Sequence, residues 1–157
     1  MASTNSSRTG IVLPSRFLRA KLSADINIGS AASGPNVIVW SAGDMSVSNG
    51  RQIVVPAGYT KAKARASLTV TNNNNPGGFS FKIMTGVADD GTGGTAQGET
   101  QAWQASGGFG GGNYQAFTSE FAVVPGDYVA VRINWNVANS LVLKAVPNSF
   151  LEVELYN

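Results

Sequence analysis

The sequence predicts an all-β protein, a jelly-roll β-sandwich folded as one domain. Three observations carry this expectation. Apolar residues recur with period two in stretch after stretch, the spacing that turns one face of a strand into a core. Clusters of Pro, Gly and Asn separate those stretches into about nine strands, and no run has the pattern of a helix. The chain also finishes in an alternating strand, Ser149-Phe150-Leu151-Glu152-Val153-Glu154-Leu155-Tyr156. A strand that close to the end of a chain belongs to a sheet and not to a tail. The 157 residues suffice for a sizeable core.

In chain order, residues 1–19 read as an extended N-terminal arm and residues 20–157 as the jelly-roll domain. The first ten residues are small and polar, and Ile11-Val12-Leu13-Pro14 is a short apolar tip suited to packing on a partner or on the body. No apolar leader core is present, and no apolar run approaches the roughly 20 residues of a spanning helix, so neither a cleaved signal nor membrane insertion is expected. From Ala20, residues Leu22, Ala24, Ile26 and Ile28 alternate with polar neighbours as a half-buried strand. Val37 to Trp40 is a short strand. Asn49-Gly50 is the strongest hairpin signal, because both residues tolerate positive φ. Gln52 to Val55 returns from it into the corner Pro56-Ala57-Gly58.

Thr60 to Thr71 is the clearest strand. Ala62, Ala64, Ala66, Leu68 and Val70 form its core face, while Lys61, Lys63 and Arg65 form a basic row that reads as a solvated sheet face discouraging edge pairing. Phe79, Phe81 and Ile83 mark the next strand. Residues 86–112 hold 10 of the 19 glycines and read as one long loop, in which Trp103 and Phe109 need something to pack on. Phe117 to Val124, Tyr128 to Asn136, Leu141 to Val146 and Phe150 to Tyr156 complete the strands. Ile53-Val54-Val55-Pro56-Ala57-Gly58-Tyr59 and Ala122-Val123-Val124-Pro125-Gly126-Asp127-Tyr128 echo one another, as similar corners of a sandwich would.

Composition narrows the chemistry. With neither Cys nor His, the chain has no thiol nucleophile, disulfide, zinc-thiolate site, imidazole base or Ser-His-Asp triad. Charged residues make up 13% of the chain against a usual ~25%, so small polar residues or a second subunit must cover the surface. Residues 1–21 carry +4 and the remainder −2. That basic segment suits either an arm docking on something acidic or a frayed, solvated terminus, and four cations are too few for nucleic acid. Gly93 to Thr100 has phosphate-loop spacing, yet Glu99 stands where lysine is required and would repel phosphate. Gly91 to Ala96 matches a dinucleotide fingerprint in letters but lacks the helix that would supply the dipole. Asp89-Asp90 supplies too few ligands for a hard cation, so no metal or cofactor is expected. Glu152 and Glu154, with Phe150 and Tyr156 beside them, suit a sheet surface or subunit contact better than a hydrolase pair. Arg132 is their expected partner across the sheet. Trp40 and Trp135 read as core, and Trp103 as the candidate platform for a ligand.

Asn49 to Tyr59, Gly126-Asp127-Tyr128 and Ser149 to Leu155 together resemble the trimeric jelly rolls of the complement-first-component and tumour-necrosis-factor superfamily. They look most like its bacteriophage branch of decoration proteins, head fibres and tail adhesins. In that family a Pro-Gly corner precedes one core strand, a Gly-Asp-Tyr turn precedes another, and a Phe-rich strand ends the domain. The resemblance covers about residues 20–157; the long 86–112 loop departs from the minimal domain. It implies a homotrimer, whose threefold packing would account for the low charge, with Tyr128, Phe150 and Tyr156 as candidate interface residues. The expected function is non-enzymatic: a virion capsid decoration (cement) or head-fibre protein. Arg8, Ile11, Val12, Leu13, Arg16, Phe17 and Arg19 of the arm would dock on the major capsid protein or another virion protein. The alternative is a receptor-binding adhesin in which Trp103 and Phe109 contact a host-surface glycan. A carboxylate glycosidase built on Glu152 and Glu154 ranks last.

Overall fold

The computed structural model describes residues 13–27, 36–37, 42–43, 52–72, 77–87, 93–104, 112–137 and 141–157. Asn49-Gly50, Asp89-Asp90, Trp40 and Phe109 lie outside them, as do Arg8, Ile11 and Val12. The described residues form strands only. These are β1 (Arg16–Lys21), β2 (Ile26–Asn27), β3 (Asn36–Val37), β4 (Ala42–Gly43), β5 (Gln52–Val54), β6 (Lys61–Asn72) and β7 (Gly77–Val87). They continue with β8 (Gly93–Gln104), β9 (Gly112–Phe117), β10 (Phe121–Ala122), β11 (Tyr128–Val137), β12 (Leu141–Leu143) and β13 (Phe150–Tyr156).

The eight principal strands pair in a nested order. The first pairs the last (β1 with β13), β5 pairs β11, β6 pairs β9, and β7 pairs β8, all antiparallel. This is one long hairpin rolled up, the jelly roll that the turn spacing predicts. Rolling produces two sheets, β1–β13–β6–β9 and β5–β11–β7–β8, with the short strands at their margins. The core lies between them. From the first sheet come Leu18, Ala62, Ala64, Ala66, Leu68, Leu151, Val153 and Leu155, and from the second Ile53, Phe81, Ile83, Val129, Val131 and Ile133. The first set alternates with outward, mainly polar residues, as period-two strands require, whereas in the second sheet Met84 and Ala130 on the opposite face are buried as well.

β13 lies between β6 and β1, with Leu151, Val153 and Leu155 fully buried, so the last strand is indeed an inner one. Beyond it, β6 changes partner, from β13 at residues 61–67 to β12 at residues 70–72. Ser149 fills the junction: its fully buried Oγ accepts the Thr69 amide at 3.1 Å, standing in for a backbone carbonyl.

Two boundaries differ from expectation. The sheet begins at Arg16 and not at residue 20, because Arg16 to Lys21 pair with Leu155 to Phe150, which places Leu18 and Ala20 in the core. Arg16, Phe17 and Arg19 are therefore sheet residues. Residues 22–25 do not continue that strand. The Asp25 carboxylate instead accepts the Ala145 amide at 2.7 Å and binds Lys144, holding this break against the β12–β13 connection. The hydrogen bond from Lys144, then that from Ala145, keeps the Asp25 carboxyl below its ordinary value.

Residues 86–112 are not one loop. β8 runs through them, paired along β7 from Gly77↔Gln104 to Val87↔Gly93. A bulge opens between Ile83 and Met84, where Gln97 is the extra residue, and its side-chain Nε2 donates to Thr85 Oγ1 at 2.9 Å. The next residue, Gly98, lets the edge of the second sheet touch the first. A Cβ there would lie 2.3 Å from the Phe117 carbonyl oxygen and 2.9 Å from its carbon.

Because that obstacle is backbone, Gly98→Ala is expected to lower stability by about 1–3 kcal/mol, the usual cost of overpacking. Urea unfolding of the two proteins checks this; an unchanged midpoint would mean that β8 and β9 do not close on one another.

Candidate assembly face

The outer surface of the β1–β13–β6–β9 sheet is built in rungs by strand register. One rung is Phe17, Glu154 and Lys63; the next is Arg19, Glu152, Arg65 and Phe117; a third is Lys21, Phe150, Ser67 and Gln115. Period two turns all of these outward, because Leu18, Val153, Ala64 and Ala116 between them are buried.

Glu152 is the centre. Its Oε1 accepts from Arg65 Nε at 2.7 Å and its Oε2 lies 3.9 Å from Arg19 Nη1. Both guanidiniums also stack on the Phe150 ring, at 4.2 Å for Arg19 and 5.3 Å for Arg65. At the other end of the face, Glu120 joins Lys61 at 3.2 Å and accepts the Tyr156 hydroxyl at 3.0 Å, and Lys63 lies 5.8 Å over the Tyr156 ring. The basic row expected along β6 is therefore exposed and matched to carboxylates and aromatic rings. The partners of Glu152 are Arg19 and Arg65. Arg132, the expected partner, stands in β11 of the opposite sheet and donates to the Gly93 carbonyl at 2.6 Å. Register decides this, because β13 neighbours β1 and β6 and never β11.

Two large apolar side chains flank the charged centre without cover. Phe17 is 59% exposed and Phe117 62%. They bracket a groove of about 340 Å³ floored by Lys63, Arg65, Glu152 and Glu154. Phe117 points outward beside buried Ala116, and its place at the sheet edge follows only from the β6–β9 register, which the sequence does not reveal.

The other sequence candidates scatter. Tyr128 stands in β11 and packs with Met84 and Ala130 in a cluster separate from the main core, so it shares no surface with Phe150 and Tyr156. Leu13 packs on the protein's own core, against Gly58. Trp103 stands in β8 opposite Gly78, and Trp135 in β11 opposite Phe79. The phosphate-loop mimic is part of β8, and Glu99 pairs with Lys82 at 3.3 Å. Among the described residues no three Asp or Glu side chains gather to hold a metal ion.

A solved structure titled Eiger TNF from S. frugiperda superimposes on this chain with a TM-score of 0.56, covering 91% of this chain and 92% of that one at 12% identity. The chain adopts the tumour-necrosis-factor-like jelly roll. At that identity the likeness concerns the fold. No protein-family model and no curated protein sequence matches the chain.

Within this jelly roll the Glu120–Tyr156 contact has a measurable signature. Removal from water and then the hydrogen bond to Glu120 push the Tyr156 phenol up to about 12, while the bonds from Tyr156 and Lys61 hold Glu120 below its ordinary value. The depressed carboxyl stabilises the fold above the unfolded value of about 4.3, and that contribution is lost as pH falls through the folded value. The raised phenol stabilises it below about 10, and that contribution is lost as pH rises toward about 12. Glu120→Gln is expected to bring Tyr156 ionisation down from about 12 and to flatten the acid limb of stability against pH. Phenolate absorbance against a Tyr156→Phe control reads the first effect; an unmoved titration would rule out the contact.

Proposed function

We propose that the chain is a non-enzymatic structural protein of a bacteriophage virion. In this reading it is a homotrimer that decorates the capsid as cement or stands on it as a short head fibre. The observation that supports assembly best is the outer sheet face, where exposed Phe17 and Phe117 bracket a groove in a protein with few charges to cover its surface. Isolated exposed phenylalanines are ordinary, but two that border one groove on a sheet face suit a contact surface. Charge argues for the kind of symmetry. Among the described residues the face carries the bases Arg19, Lys21, Lys61, Lys63 and Arg65 against the acids Glu120, Glu152 and Glu154. Two copies meeting through this same face would bring like excess charge together. A heterologous contact, face against a different surface, avoids that and closes as a ring.

The virion role rests on the resemblance described above, on the chain's lack of Cys and on its Asn-, Gly- and Thr-rich connections. The adhesin alternative relied on one long loop presenting Trp103. Trp103 lies within β8, so that reading would now need a strand and not a loop to present it. The arm available for docking is also shorter than expected, since Leu13 and Arg16 to Arg19 belong to the folded body.

Light scattering is expected to give a mass three times the 16.3 kDa of one chain. Phe17→Glu combined with Phe117→Glu should reduce it to the single-chain mass while leaving the β-sheet circular dichroism unchanged. A wild-type monomer would overturn the trimer. Deleting residues 1–12, which spares β1, should weaken binding to capsids that lack the protein and leave the trimer intact. Undiminished binding would exclude the arm as a docking element.

A further inference from the structure

The sheet face with the groove divides into two unlike halves. Register puts Phe17 of β1 opposite Glu154 of β13, and Phe117 of β9 opposite Arg65 of β6. Each half is one exposed phenyl ring beside one charged group, an acid in the first and a base in the second. The order β1–β13–β6–β9 sets the two phenylalanines three strand spacings apart, roughly 14 Å, so neither ring covers the other within one chain. Both stand open at the margins of the same groove.

The charged members of both halves keep bonding capacity. The Glu154 carboxylate has no ion pair and no hydrogen bond among the described residues. Lys63, opposite it in register, lies over the Tyr156 ring instead, 5.8 Å from the ring centre. Arg65 binds Glu152 through Nε alone, at 2.7 Å, with its guanidinium over the Phe150 ring. Its Nη groups have no hydrogen bond among the described residues, and the side chain is 52% exposed. A guanidinium fork has donors enough for a second carboxylate on its Nη edge. An acid beside one ring is thus the complement of a base beside the other, and both belong to the same surface.

We propose that these halves are the two sides of one contact between copies of this chain. Phe17 of one copy packs against Phe117 of the next, and Glu154 of the first binds the Nη edge of Arg65 of the second. The inference rests on the trimer reading and states which residues meet in it. Complementarity selects the occupant, because the surface itself carries both the acid–ring patch and the base–ring patch that would match it. A heterologous contact joins two different patches and repeats around a ring, so each copy gives one half and receives the other. A two-fold contact could make the same pairing twice, but it would also set the whole face, with its excess of bases, against itself.

The test uses the full-length protein, whose sequence has no cysteine of its own. Phe17→Cys and Phe117→Cys are made singly and together, fully oxidised, and read on a non-reducing gel beside light scattering. Within one chain the two positions exceed the roughly 7 Å between Cα atoms that a disulfide can bridge, so a bond joins copies only. The double variant is expected to give a linked species of three chains, and each single variant no link. Linked pairs from a single variant, or a double variant that stops at two chains, overturn the arrangement. A three-chain mass without links in the double variant overturns the pairing while the trimer stands. A wild-type monomer overturns the trimer and the pairing with it. Glu154→Arg, which spares both rings, is expected to raise the concentration at which the trimer half-dissociates roughly 10-fold, with β-sheet circular dichroism unchanged. A Glu154→Arg trimer as stable as wild type overturns the pairing, and this result decides if the double-cysteine variant does not assemble.

Discussion

Strand β6 is the constraint on which the rest of the molecule depends. Its 12 residues pair with β13 and β12 along one edge and with β10 and β9 along the other, so four separate parts of the chain take their register from it. Its inward residues begin as Ala62, Ala64 and Ala66 before Leu68 and Val70. The small side chains leave the core's larger volume to Phe81, Ile83, Ile133 and Ile53 of the opposite sheet, and interleaving small with large fills a sandwich without voids. Even the ends of its neighbours are tied to it. Thr118, just past β9, accepts the Ala64 amide on its hydroxyl at 2.8 Å and donates its own amide to the Ala64 carbonyl at 3.0 Å.

The surface follows from the same register. Because Arg65 stands opposite both Glu152 and Phe117, the ion pair and the exposed ring share one rung. Arg19 arrives from the far side through β1. The pairs are solvent-exposed and contribute little stability one by one. Their effect is positional: two guanidiniums held by one carboxylate over one aromatic ring fix the orientation of the charged groups on this face. An open face of paired charges flanked by apolar rings is better suited to contact with another folded surface than to enclosing a small molecule.

Much of this was legible in the sequence wherever burial alternates strongly. From Lys61 to Thr71 of β6 and from Leu151 to Leu155 of β13 apolar and polar residues alternate without a break, and both strands lie where period two predicts. β8 was not legible. At the edge of its sheet it is Gly93-Gly94-Thr95-Ala96-Gln97-Gly98-Glu99-Thr100, with no apolar face, and its strand geometry comes from pairing with β7 and not from its own composition. The start of β1 was misread because Arg16 and Arg19 suggest a solvated arm, although Leu18, Ala20 and Leu22 already keep the inward phase. The partner of Glu152 depends on which distant strands become neighbours. Local patterning does not encode that order, and so Arg132 was as reasonable from sequence as Arg19 or Arg65.

The echoed corners show what local pattern can deliver when topology cooperates. Each is a strand, a proline-glycine turn and an aromatic, sufficient to predict a turn but silent about its neighbour. In a nested hairpin the second strand from one end must pair with the second from the other, here β5 with β11. The corner that leaves β5 and the corner that enters β11 are therefore adjacent at one end of the sandwich. Nothing about turn chemistry demands valine at position 124, and polar residues fill such turns more readily. The jelly roll thereby sets the paired corners at its strand ends and the Phe17–Phe117 groove on a sheet face, two different sides of one core.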